Sequence, residues 1–94
     1  MAFEWDKAKA TTNVKKHEVT FDEASTVFGD PLARIFDDPE HSAEERREII
    51  VGHSILSRLL LVCFTEREGG VIRILSAREA TKKERQDYEE NSGG

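Results

Sequence analysis

Arg58-Leu-Leu-Leu-Val-Cys-Phe-Thr-Glu-Arg67 and Val71-Ile-Arg-Ile-Leu-Ser-Ala-Arg78, with Gly69-Gly70 between them, read as one β-hairpin. Apolar and polar residues alternate along the runs, and a Gly-Gly pair between two such runs marks a turn. Arg58, Arg67, Arg73 and Arg78 punctuate the hairpin. A guanidinium is planar, permanently charged and forked, a shape that suits phosphate. Two readings of these arginines stand side by side. On a solvated sheet face they pair with Glu66, Glu68 and Glu79, contacts that contribute about 0–1 kcal/mol each. As a cluster they form a phosphate site that stabilises charge developing on a pentacoordinate phosphorus. Arginine in place of lysine, the adjacent strands, and Lys82, Lys83 and Arg85 just downstream favour the second reading. Strict alternation complicates it. Arg73 and Arg78 are an odd number of residues apart, so an unbroken strand turns them to opposite faces. A bulge between them, or a strand that ends before Arg78, is needed to bring both onto one surface.

Outward from the hairpin, Phe3-Glu-Trp5 suits a short first strand, and Asp6 caps a helix running to about His17. Thr20-Phe-Asp-Glu23 is a capping box for a second helix, whose apolar face is Phe21, Ala24 and Phe28; Gly29-Asp-Pro31 ends it. Leu32 to Phe36 and Glu48 to Gly52 read as strands, with Asp37 to His41 a loop and Ser42-Ala-Glu-Glu45 a second capping box on a short helical turn. Thr81-Lys-Lys-Glu84 opens a last helix to about Glu90. The order β-α-α-β-β-β-β-α predicts an α+β fold: an antiparallel sheet meander with its helices packed on one face.

Ninety-four residues make a single domain, 1–90, with 91–94 a frayed tail; such a chain holds one core and no deep cavity. The formal net charge of −5 argues against nucleic-acid binding by bulk charge. The charge is polarised, however. Residues 1–45 carry five basic and eleven acidic side chains, whereas residues 46–88 carry nine basic and six acidic. Cys63 stands alone in an apolar run and reads as a small buried hydrophobe. The opening residues lack the basic region and apolar core of a secretion signal, and Leu59 to Phe64 is too short to cross a bilayer. The expectation is a cytoplasmic protein without membrane partners.

The three histidines, His17, His41 and His53, show no metal-binding spacing, so neither metal nor cofactor is expected. His17 follows Lys15-Lys16 at a helix end, where cations complement the dipole. His41 precedes a helix start beside Glu44, Glu45 and Arg46, and is a candidate for acid–base chemistry. Glu45 is either the third residue of its capping box or a general base. Trp5 and Tyr88 are placed to stack on bases, but such residues more often fill a core or a sheet edge. No phosphate loop, nucleophile elbow or zinc motif is present.

In order along the chain stand Phe3-Glu-Trp-Asp6, Asn13-Val-Lys-Lys-His17, Val19-Thr-Phe-Asp-Glu-Ala24, Val27-Phe28, Asp30-Pro31, His41-Ser42, Glu45-Arg46, Gly52, Arg58, Thr65-Glu-Arg67, Ile72-Arg-Ile-Leu-Ser-Ala-Arg78, Glu84-Arg85 and Tyr88. This series resembles the BrnT family of bacterial type II toxins, from about residue 3 to residue 88. The resemblance implies a RelE-like fold, metal-independent RNA cleavage that inhibits translation, and a BrnA-type antitoxin that neutralises the toxin and carries it to operator DNA. It singles out Arg58, Arg67, Arg73 and Arg78, with Glu45-Arg46 in front. Glu18 and Ser57 depart from it, standing where glycine is more usual. The combined expectation gives the scissile phosphate to Arg58 and Arg78, with Arg67 and Arg73 in support. Arg46, Lys82, Lys83 and Arg85 line the RNA path, and Glu45 or His41 is the base. The rival reading is a non-catalytic domain whose arginine face binds an acidic partner.

Overall fold

The Asp6 carboxylate accepts the Lys9 amide at 3.0 Å and starts α1 (Lys7–His17). α1 ends at Glu18, which takes the left-handed conformation (φ 57°) and donates its amide to the Val14 carbonyl. A glycine adopts that conformation without the Cβ penalty, which is why glycine is common at such sites. Thr20 accepts the Glu23 amide at 3.0 Å and caps α2 (Phe21–Thr26), which tightens into a 3-10 turn at Val27–Gly29. These pieces belong to a computed structural model that describes residues 1–38 and 46–92. The expected helical turn at Ser42–Glu45 lies outside the described residues, as do His41 and Glu45 themselves.

The five strands are β1 (Ala2–Glu4), β2 (Arg34–Asp37), β3 (Glu48–His53), β4 (Leu59–Arg67) and β5 (Val71–Glu79), in the spatial order β1-β5-β4-β3-β2. Strands β2 to β5 form the expected antiparallel meander. The sheet is nevertheless mixed, because β1 lies parallel to β5, with Phe3 opposite Ile72. The α1–α2 segment between β1 and the meander supplies the crossover that a parallel pair requires. The β4–β5 turn is built on Gly69 and Gly70, both at positive φ, the region that glycine enters without penalty.

One sheet face carries the main core. Leu60, Val62, Phe64, Ile50, Ile72 and Ile74 pack there beneath Val19, Phe21, Ala24 and Val27. Phe28 meets the rings of Phe64 and Phe3 at 5.0 and 5.2 Å, and Trp5 lies edge-on to Phe21. The expectation that all helices share one face fails at α3 (Lys82–Ser92). Leu59, Leu61, Val51 and Ile49 alternate onto the second face, where α3 covers them through Tyr88. The Tyr88 hydroxyl donates to the Leu32 carbonyl at 3.0 Å and ties the helix to the start of β2. α3 also runs two residues past its expected end at Glu90.

The second face holds the answer to the arginine spacing. Phe64 pairs with Ile74 and Cys63 with Ser76, so Leu75 is an extra residue in β5. This β-bulge resets the alternation. Arg73 then lies opposite Thr65 and Arg78 opposite Leu61, positions an even number apart on β4, so both arginines take the α3 face.

Candidate functional site

β1 pairs with β5 only as far as Arg73, which leaves the outer edge of β5 uncovered beyond that residue. Asn13 of α1 takes over from the missing strand. Its amide donates to the Ala77 carbonyl at 2.8 Å and its carbonyl accepts the Ala77 amide at 3.1 Å, while a further bond reaches the Val19 carbonyl at 2.9 Å. The buried amide thus mimics a β ladder and fixes α1 to the strand just past the bulge. Lys9 and His17 stand four residues to either side of Asn13, on the same helix face.

Between this helix face, the bulge and the part of the second sheet face beyond α3 lies a groove of about 470 Å³. Its walls include Lys9, His17, Arg47 and Arg78, with Asp38, Cys63 and Ser76 between them. A shallower extension of about 310 Å³ adds Lys16 beside His17. The groove carries an excess of cations although the chain is acidic. Arg78 is oriented by a two-pronged pair with Glu84, at 2.7 and 2.9 Å, and by a bond to the Glu79 carbonyl. Hydrogen bonding from Arg78 pulls the Glu84 carboxyl down to about 2 and raises the pKa of Arg78 itself. Among the described residues these bonds leave the Arg78 Nε–H uncommitted. Cys63 is half-buried, with Sγ 3.9 Å from a carboxylate oxygen of Asp38; burial is the largest influence raising its pKa.

The other expected site residues divide sharply. Arg58 stands one residue before β4 and reaches Glu23 of α2, on the opposite side of the sheet from Arg78. It donates to both carboxylate oxygens of Glu23 (2.9 Å from Nε), to Glu79 at 2.9 Å and to the Glu18 carbonyl at 3.0 Å. Ser54 completes the network with a 2.6 Å bond to Glu23. Arg58 therefore locks the α1–α2 corner to the β3–β4 turn, with its donors directed into the protein. Arg73 and Arg67 reach Glu4 at 2.7 and 3.9 Å, at the far end of the arginine face. Arg46 pairs with Asp37 at 3.2 Å on the surface. Lys82 and Lys83 are exposed on α3, Arg85 is half-buried there, and none of the three lines the groove.

Sequence reasoning missed Lys9, His17 and Arg47. The signal for the first two was the polar series Lys9, Asn13, His17 at helical spacing, which reads as a solvated stripe until Asn13 is seen to be buried. Among the described residues no three His, Cys, Asp or Glu side chains gather as a metal site. No helix among them is long and apolar enough to cross a membrane.

Residues 5–84 match the family model for the ribonuclease toxin BrnT of type II toxin–antitoxin systems. The chain belongs to the BrnT family. As a BrnT ribonuclease toxin it implies an RNA substrate and an antitoxin partner. The crystal structure of the Brucella abortus ribonuclease toxin BrnT shares its α+β fold, with a TM-score of 0.69 at 23% identity. The match covers 87% of this chain and 99% of the Brucella protein. No curated protein sequence matches the chain.

Proposed function

We propose that this BrnT toxin cleaves RNA in the groove beside the β5 bulge, without a metal ion, leaving a 2′,3′-cyclic phosphate and a 5′-hydroxyl. The observation that carries this reading is the convergence of Arg78, Lys9, Arg47 and His17 on one open cavity of an acidic protein. In an RNA toxin such a cavity concentrates the charge that a transition-state phosphorane needs. Arg78 is the primary phosphate contact, and Glu84 holds its fork in place. Arg73 and Arg67 continue the RNA path along the same face, and Arg46, Lys82, Lys83 and Arg85 attract the strand from farther out. Arg58 acts through the fold. His41 and Glu45 are retained as candidates for the base.

A BrnA-type antitoxin silences the toxin by covering the groove, and the pair reaches operator DNA through the antitoxin, all in the cytoplasm. The rival reading, a binding domain without catalysis, loses its ground with membership of a ribonuclease family. Purified toxin in excess EDTA is expected to cut RNA at its normal rate and to leave cyclic-phosphate ends. Cleavage that stops in EDTA and returns with a divalent cation would overturn the metal-free chemistry.

A further inference from the structure

His17 is exposed and makes no hydrogen bond or ion pair with the described residues, although it borders both the main groove and its extension. Its position is fixed from elsewhere: Asn13, one helical turn earlier, is bonded to both backbone groups of Ala77, the neighbour of Arg78. One side chain therefore registers the imidazole against the strand that presents the phosphate-binding arginine. The other charged side chains along the groove and its extension are Lys9, Lys16, Arg47, Arg78 and Asp38.

Resting on the groove reading above, we propose that His17 is the general acid of the cleavage, the group that protonates the departing 5′-oxygen. The RNA 2′-oxygen forms a bond to phosphorus while its proton passes to the base, for which Asp38, the carboxylate on the described groove wall, joins His41 and Glu45 as a candidate. The phosphorus–O5′ bond breaks and its electron pair stays on the 5′-oxygen. That oxygen takes the proton from the His17 imidazolium; the protonated base then gives its proton to solvent and His17 takes one back, which restores both groups. The products are a 2′,3′-cyclic phosphate and a 5′-hydroxyl, and no oxidant or further reactant is consumed.

The test uses an RNA whose cut site has been mapped with the wild type, made with either oxygen or sulfur in the 5′-bridging position. A thiolate leaves without protonation, so sulfur removes the need for an acid. His17→Gln and His17→Ala are expected to cut the oxygen RNA at least ~100-fold more slowly than wild type, within the usual range for a lost proton transfer. They should bind RNA and melt like wild type, and should cut the sulfur RNA at close to the wild-type rate. Wild-type cleavage of the oxygen RNA by the variants, or an equal defect on both RNAs, would overturn the assignment. A wild-type toxin that cuts in EDTA, together with an Arg78→Ala variant as active as wild type, would instead show that the groove reading has failed.

Discussion

Arg58→Ala is expected to lower stability by about 3–5 kcal/mol, the cost of stranding a buried charge after its partner is removed. Only 6% of the Glu23 side chain is exposed, and Arg58 supplies two of the hydrogen bonds to its carboxylate. The same truncation frees Glu79 and the Glu18 carbonyl. For a domain of this size each kcal/mol shifts the melting temperature by roughly 4–8 °C, so the midpoint should fall by more than about 10 °C. The effect should depend on pH. Hydrogen bonding from Arg58, with a smaller part from Ser54, holds the Glu23 carboxyl below its ordinary 4.5 against the opposing effect of burial. A depressed folded-state pKa contributes stability above the unfolded value and loses it as pH falls through the folded one. The gap between wild type and Arg58→Ala should therefore be full at neutral pH and narrow below about 4.5. A variant that melts like wild type yet has lost RNA cleavage would restore Arg58 to the phosphate.

Arg78→Ala is expected to behave in the opposite way. Its pair with Glu84 is partly exposed, at 40% and 35% of the side chains, so the stability change should stay within about 1 kcal/mol. Cleavage should fall by roughly 10²–10³-fold, the usual consequence of removing one preorganised donor from a transition-state anion. Growth arrest on induction should disappear with it. Arg78→Lys should recover little, because a point charge reproduces neither the fork to Glu84 nor the Nε–H left for phosphate. Activity assays and melting curves on the two variants together test whether Arg58 acts through the fold and Arg78 through contact with RNA.

Much of this architecture was legible in the sequence because it is locally encoded. Asp6 and Thr20 announce their helices through side-chain caps, Gly69-Gly70 announces the turn, and the β-branched run Ile49-Ile50-Val51 announces β3. The parallel setting of β1 was not legible, since three residues carry no sign of which strand they will join. Nor was the second-face position of α3. Its apolar contact is dominated by Tyr88, too little for a periodic signal.

The charge split between the halves proved true of the sequence and misleading about the surface. Much of the basic half is bonded to the acidic half: Arg58 to Glu23, Arg73 and Arg67 to Glu4, Arg46 to Asp37. The cations that line the groove come from α1 as well as from the hairpin, and they were scattered in sequence. The bulge at Leu75 was recognisable as a requirement, but its location depends on long-range pairing with Cys63 and Phe64.

RNA is expected to sit in the groove beside this bulge. The most direct measurement is backbone and side-chain NMR shift mapping with an oligonucleotide carrying a single 2′-deoxy sugar at the cut site. That substrate binds but lacks the attacking hydroxyl. The largest shifts are predicted at Lys9, His17, Leu75, Ser76 and Arg78. Shifts concentrated instead around Arg58, Glu23 and Ser54, with the bulge residues unmoved, would place the RNA on the opposite sheet face.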